Sequence, residues 1–181
     1  YYQHDKLYPL LLRSDLINQV PGMKDKFPTH ADYAGAEIID IFTSEQLDNA
    51  LEKKAFTFAT SLFYGSENGT FNIQPLPAEV QFAPVYAIES GDFNDDGKKD
   101  LLLGGNFHGI SQQFGRYDAS YGTLLYGDSE FAFVPASLAE SGLYLTGQVR
   151  DMISIPYGEQ QSAIIILKNN DKIQVYSKDV R

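Results

Sequence analysis

The nonapeptide Asp92-Phe93-Asn94-Asp95-Asp96-Gly97-Lys98-Lys99-Asp100 holds the side chains best spaced for chemistry. Oxygen-bearing residues alternate at Asp92, Asn94, Asp96 and Asp100. Gly97 supplies a sharp turn, and the carbonyl of Lys98 falls where a main-chain ligand is wanted. Ca²⁺ takes about six to eight oxygen ligands, and this alternation aims them at one centre. With no cation, the three alternating Asp would repel one another by roughly 1–3 kcal/mol per pair at about 5 Å. A bound Ca²⁺ is the expected reason for that arrangement, with Asp92, Asn94, Asp96, Lys98 and Asp100 as its ligands. The competing reading is an Asp/Asn/Gly-rich hairpin turn that binds nothing; three Asp at alternating positions weigh against it.

Elements on both sides must hold this loop. Val85 to Phe93 and Leu101-Leu102-Leu103-Gly104-Gly105 are short apolar runs bounded by turn residues, which predicts two strands. An EF-hand would place helices on either side and a Glu at the twelfth position, where this chain has Leu103.

The chain has 181 residues, 43% of them hydrophobic, with 12 Tyr, 12 Phe and no Cys. That length supports one good core or two small ones. Disulfides and thiolate chemistry are excluded. A net charge of −10 repels phosphate backbones and anionic membrane surfaces, so neither nucleic acid nor such a membrane is an expected partner. No apolar run approaches the ~20 residues of a membrane span, so no transmembrane segment is expected. The first residues, Tyr1-Tyr2-Gln3-His4-Asp5-Lys6, carry neither Met nor a signal-peptide pattern and read as the interior of a longer protein.

Texture changes near residue 55, which predicts a helical segment over 1–55 and a β region over 56–181. In the first, Ser14 is placed to cap a short helix ending at Pro21-Gly22. Ala34, Ile38, Ile41 and Phe42 fit one face of a helix from Tyr33 to Phe42. Thr43 and Gln46 are spaced as a capping box for Glu45 to Lys54, with Leu47, Ala50 and Leu51 as its buried stripe. In the second, Phe56 to Tyr64 alternates as a strand, Asn68-Gly69 is a hairpin turn, and Thr70 to Ile73 returns. Asn68-Gly69-Thr70 is also a glycosylation sequon, which the turn explains without a sugar.

The β region also resembles itself. Phe63-Tyr64-Gly65 parallels Leu125-Tyr126-Gly127, Val85 to Ile88 parallels Val149 to Met152, and Leu101-Leu102-Leu103 parallels Ile164-Ile165-Ile166, each about 62 to 64 residues on. The last copy is shorter and lacks the acidic loop, since Ser154 to Gln160 offers only Glu159. A repeated four-stranded unit of this size suits β-propeller blades. The fold class expected is mainly β: a partial propeller of about two to three blades after an N-terminal helical segment. A closed ring needs about four to eight blades, so apolar faces and strand edges are expected to lie exposed.

The acidic loop with its following Leu101 to Gly105 resembles the FG-GAP (VCBS-type) repeat, the blade unit of integrin-α-like propellers. More narrowly, Arg13 to Tyr176 is similar to the C-terminal part of large exported repeat proteins of Bacteroidetes, related to the cartilage acidic protein and ASPIC/UnbV group. The segments carrying this narrower resemblance are Asp32 to Ala36, Ala55 to Ala59, Leu76 to Val85, and Gly115 to Gly122. The resemblance implies a calcium-stiffened propeller with no established enzymatic activity, located outside the cytoplasm (periplasm, outer-membrane surface or secreted). Its ligand positions are those of Asp92, Asn94, Asp96, Lys98 (through its carbonyl) and Asp100. The helical segment before Ala55 has no counterpart in simple repeats.

A second candidate site is Gly115 to Gly122, where Arg116 and Asp118 could grip a polar ligand or pair with each other. The three His lack metal-ligand spacing, and Gly104 to Gly109 is Gly-rich without a phosphate-cradling pattern, so close packing explains its glycines better. The expected role is non-catalytic: a module binding a protein or glycan, with the remaining blades of its propeller as further partners. An enzyme or accessory for polysaccharide processing, with its active site elsewhere in the parent protein, and a purely architectural module are the alternatives.

Overall fold

The computed structural model describes residues 1–111, 114–129, 131–157 and 161–177. The chain divides into two compact units, Tyr1–Phe56 and Thr57–Arg181.

The first unit opens with a minimal hairpin, β1 (Tyr2–Gln3) and β2 (Lys6–Leu7), followed by five short helices: α1 (Arg13–Gln19), α2 (Met23–Lys26), α3 (His30–Tyr33), α4 (Ile38–Ile41) and α5 (Ser44–Asp48). Leu16, Phe27, Ala36 and Ile41 form its core, with Met23, Tyr33 and Phe42 packed around them. Arg13 ties the ends of this cluster, donating through Nε to the Phe27 carbonyl at 2.6 Å and through Nη2 to Pro28 at 2.7 Å.

Three expectations for this unit are corrected. Ser14 lies inside α1, whose N-cap is Leu12 with no side-chain bond. The helix expected over Tyr33 to Phe42 is two helices, because the chain turns at Ala34–Ala36 and starts again at Glu37, whose N–H donates to Asp40 at 2.9 Å. A reciprocal cap there begins a new helix instead of continuing the old one. The third helix does begin at a Thr43–Gln46 capping box but ends at Asp48; Ala50 is exposed, Leu51 is 82% exposed, and only Leu47 is half-buried.

The second unit is built of antiparallel strands. A hairpin, β3 (Ser61–Gly65) and β4 (Phe71–Pro75), turns at Asn68-Gly69. Asn68 Oδ1 accepts from the Thr70 backbone N–H at 3.1 Å, so the sequon is occupied by its own turn. The strand expected from Phe56 starts only at Ser61; Phe56 and Phe58 are 89% and 90% exposed and belong to no strand. A 3-10 turn, Ala78–Gln81, leads to the four-stranded meander β5 (Val85–Gly91), β6 (Asp100–Gly105), β7 (Thr123–Ser129) and β8 (Ala132–Pro135), paired in that order. A short helix, α6 (Leu138–Ser141), connects to a three-stranded meander, β9 (Val149–Tyr157), β10 (Gln161–Lys168) and β11 (Gln174–Ser177). Ser154 to Tyr157, expected in a loop, continue β9 in register with β10. Glu159 lies outside the described residues. The molecule is therefore mainly β, made of several small antiparallel sheets, with no closed barrel among the described residues.

The two meanders pack face to face. Ala87, Leu102 and Leu124 of one meet Val149, Met152 and Ile166 of the other, with Leu143 and Leu145 closing the layer. The approach is close: a Cβ on Gly104 would come within 2.5 Å of the Met152 methyl. Strand alternation sends neighbouring residues to opposite faces, so Leu103 and Leu125 bury on the far side against Val80 and Leu76. Among the described residues, apolar side chains stay exposed on the hairpin and on the last meander. On the hairpin, Phe63, Phe71 and Ile73 are exposed; on the last meander, Ile153 is 51% and Val175 58% exposed, on the face opposite Met152 and Ile166. Among the described residues no helix is long and apolar enough to cross a membrane.

α6 is held by a capping box in which Glu140 accepts from the Ser137 hydroxyl at 2.7 Å and its backbone N–H at 2.8 Å. These bonds, the hydroxyl's above all, hold the Glu140 carboxyl below the usual glutamate range. A depressed carboxylate stabilises above its unfolded value and loses that contribution as pH falls through its folded value. Titration of the Glu140 carboxylate by NMR should therefore give a midpoint below that of free Glu, and Ser137→Ala should return it upward. An unchanged midpoint in that variant would refute the cap's electrostatic role.

Candidate functional site

The acidic loop closes the hairpin between β5 and β6, whose last register pair is Gly91 with Asp100. Asp95 and Gly97 both take left-handed conformations, with φ of 62° and 81°. Two such turns so close together curl the backbone and point successive N–H groups inward. Asp96 N–H donates to Asp92 Oδ1 and to Asn94 Oδ1, both at 3.1 Å, and Gly97 N–H donates to Asp92 Oδ2 at 2.8 Å. Lys98 N–H donates to Asp96 Oδ1 at 2.8 Å, and Asn94 Nδ2 donates to Asp96 Oδ2 at 3.1 Å. The Lys98 backbone bond is the main cause that holds the Asp96 carboxyl below the usual range, aided by Asn94 and the Lys98 charge.

Asp100 differs from the other loop carboxylates. It is fully buried, and its two oxygens accept from Phe93 N–H at 2.7 Å and from Gly127 N–H, on β7, at 2.9 Å. It therefore locks the start of the loop to a strand outside the hairpin. The Lys98 amine reaches the Asp128 carbonyl at 2.8 Å, away from the carboxylates. The structure thus brings Asp92, Asn94 and Asp96 together around shared amides and sets Asp100 at the loop's base. Among the described residues, no group of three or more His, Cys, Asp or Glu side chains is placed to hold a metal ion.

Arg116 and Asp118 are both exposed, and neither forms an ion pair or hydrogen bond among the described residues. The internal pair that the sequence offered as one reading is not made. What orders this segment is main chain: Phe107 and Tyr117 exchange both backbone bonds, at 2.7 and 2.9 Å.

The sequence reading passed over Asn106. This residue is buried and left-handed, with φ of 75°. Its amide donates to the Ser120 carbonyl at 2.8 Å and to Gly147 at 2.9 Å, and its Oδ1 accepts from Ser120 N–H at 3.1 Å. Its own carbonyl accepts from Arg150 at 3.1 Å, and that guanidinium lies 4.2 Å from the centre of the Tyr86 ring. Asn106 thus joins the end of β6 to Ser120 and Gly147 through its side chain and to Arg150 of β9 through its carbonyl. The signal available was an Asn directly after Gly104-Gly105 at the end of an apolar strand, a residue tolerant of left-handed backbone.

The histidines stay apart from the loop's bonding. His4 sits in the tip of the first hairpin and His30 in α3, while the His108 backbone N–H donates to Gln148 at 3.0 Å. Comparison with family models, curated proteins and solved structures finds no match to this chain.

Proposed function

We propose that the Thr57–Arg181 unit is a section of a calcium-braced β-propeller of the FG-GAP (VCBS) kind. It acts outside the cytoplasm, binds a protein or glycan partner and performs no chemistry. The observation that carries this reading is the matching orientation of the two meanders. Leu103 and Ile166, equivalent in the internal repeat, both face what precedes their meander in the chain: Leu103 packs with Val80 and Leu76 of the segment before β5, and Ile166 packs with the β5–β8 meander. Their neighbours Leu102 and Ile165 point the other way. Leu102 is covered by the β9–β11 meander, whereas the Ile165 face is the uncovered one. One meander added on another in a single direction supports a blade-stack reading, in which a further sheet would cover the Ile165 face.

The donor set of the loop fits Ca²⁺: all its candidate ligands are oxygens, and each carboxylate oxygen engaged by an amide retains a second lone pair. When bound, the ion would supply fixed positive charge among Asp92, Asp96 and Asp100, with Asn94 and the Lys98 carbonyl completing the neutral ligands. Calcium at ~100 times Kd adds about 2.7 kcal/mol, so the melting temperature should rise by roughly 5–10 °C and return with EDTA. Asp96→Ala should abolish that response. If wild type and variant both melt identically with and without calcium, the ion has no place in the loop.

A further inference from the structure

Beside the acidic loop, α6 and strands of both meanders line an open cleft of about 620 Å³, a size typical of ligand sites. Leu102, Leu124, Leu143 and Ile164 give its lining apolar surface, together with the rings of Phe93 and Tyr126. Polar groups line the same walls: the hydroxyls of Tyr126, Ser154 and Ser162, and the carboxylate of Glu140. Among the described residues these three hydroxyls make no hydrogen bond to the protein. They come from separate strands, β7, β9 and β10, so the sheet packing itself gathers them.

We infer that this cleft binds a short neutral oligosaccharide. A hexopyranose presents an apolar C–H face and a rim of hydroxyls. The first matches aromatic and aliphatic surface, and the second matches Ser and Tyr hydroxyls, which both donate and accept. Anionic sugars are disfavoured by Glu140, by the neighbouring Asp92 and by the net charge of −10. The assignment rests on the interaction role proposed above, and not on ion binding by the loop.

The test is an amide and side-chain NMR titration of the whole chain with cello-, manno-, galacto- and chitotetraose, run in calcium and again in EDTA. At least one sugar should bind saturably, with Kd on the order of 1 mM, and its shifts should centre on Tyr126, Ser154 and Ser162. Tyr126→Phe, which removes one hydroxyl and no packing, should weaken binding about three- to tenfold. No shifts at about 20 mM sugar, shifts centred elsewhere, or stronger binding of oligogalacturonate would each overturn the inference. The calcium response of the melting temperature is a separate readout, so failure of the cleft and failure of the ion brace are distinguishable.

Discussion

Asp100→Ala should lower the stability of the second unit by about 3–5 kcal/mol, the largest effect of any side chain in the acidic loop. The carboxylate is fully out of solvent and holds two backbone donors, Phe93 N–H and Gly127 N–H. Hydrogen bonds to a charged acceptor contribute about 1.5–3 kcal/mol each, and a donor left buried without a partner costs about 1–3 kcal/mol. Alanine removes both bonds together and leaves both donors behind. Asp100→Asn should fall between, because its amide oxygen serves one donor while its NH₂ faces the other. Urea unfolding monitored by tyrosine fluorescence measures the difference. A loss under about 1 kcal/mol for Asp100→Ala would mean that water or a shifted backbone replaces the carboxylate, and that it does not anchor the loop.

Gly105→Ala should be comparably severe, at about 3 kcal/mol or more. A Cβ there would lie 1.8 Å from the Pro84 carbonyl oxygen, which belongs to backbone and has no side-chain freedom with which to retreat. The same oxygen accepts from Asn106 N–H at 3.1 Å. Moving it also pulls Asn106 away from Ser120, Gly147 and Arg150, so the damage spreads to the 107–122 connection. Hydrogen exchange should show lost protection at Ser120 as well as at Asn106. A variant with wild-type stability and protection would show that β5 slides past β6 without strain.

The parts legible in the sequence are those decided by neighbours along the chain. The Asn68-Gly69 hairpin, the Thr43–Gln46 cap and the strands on either side of the acidic loop each rest on a few adjacent residues. The loop's oxygens were legible for the same reason, since alternation alone brings Asp92, Asn94 and Asp96 to shared amides. What was not legible depended on distant partners. The periodicity of Tyr33 to Phe42 fits one helix, yet the Glu37–Asp40 cap divides it and lets Ala36, in the turn, and Ile41, in α4, reach one core. Phe56 and Phe58 alternate as a strand should, but with no partner strand they remain in solvent. Asn106 and the hydroxyls of the cleft acquire meaning only when β6, β7, β9 and β10 are assembled, because each draws on residues tens of positions away.

The exposed apolar surfaces of the hairpin and of the last meander are not copies of each other. One is aromatic and borne by a two-stranded hairpin, with Phe63, Phe71 and Ile73; the other is aliphatic and borne by three strands, with Ile153, Leu167 and Val175. This difference gives the unit a head and a tail. Head-to-head or tail-to-tail contact between two molecules is isologous and stops at a dimer. Head-to-tail contact is heterologous, leaves both ends free again, and either closes into a ring or runs on as a filament. The geometry between neighbouring units, and not the strength of the contact, then decides whether association is finite.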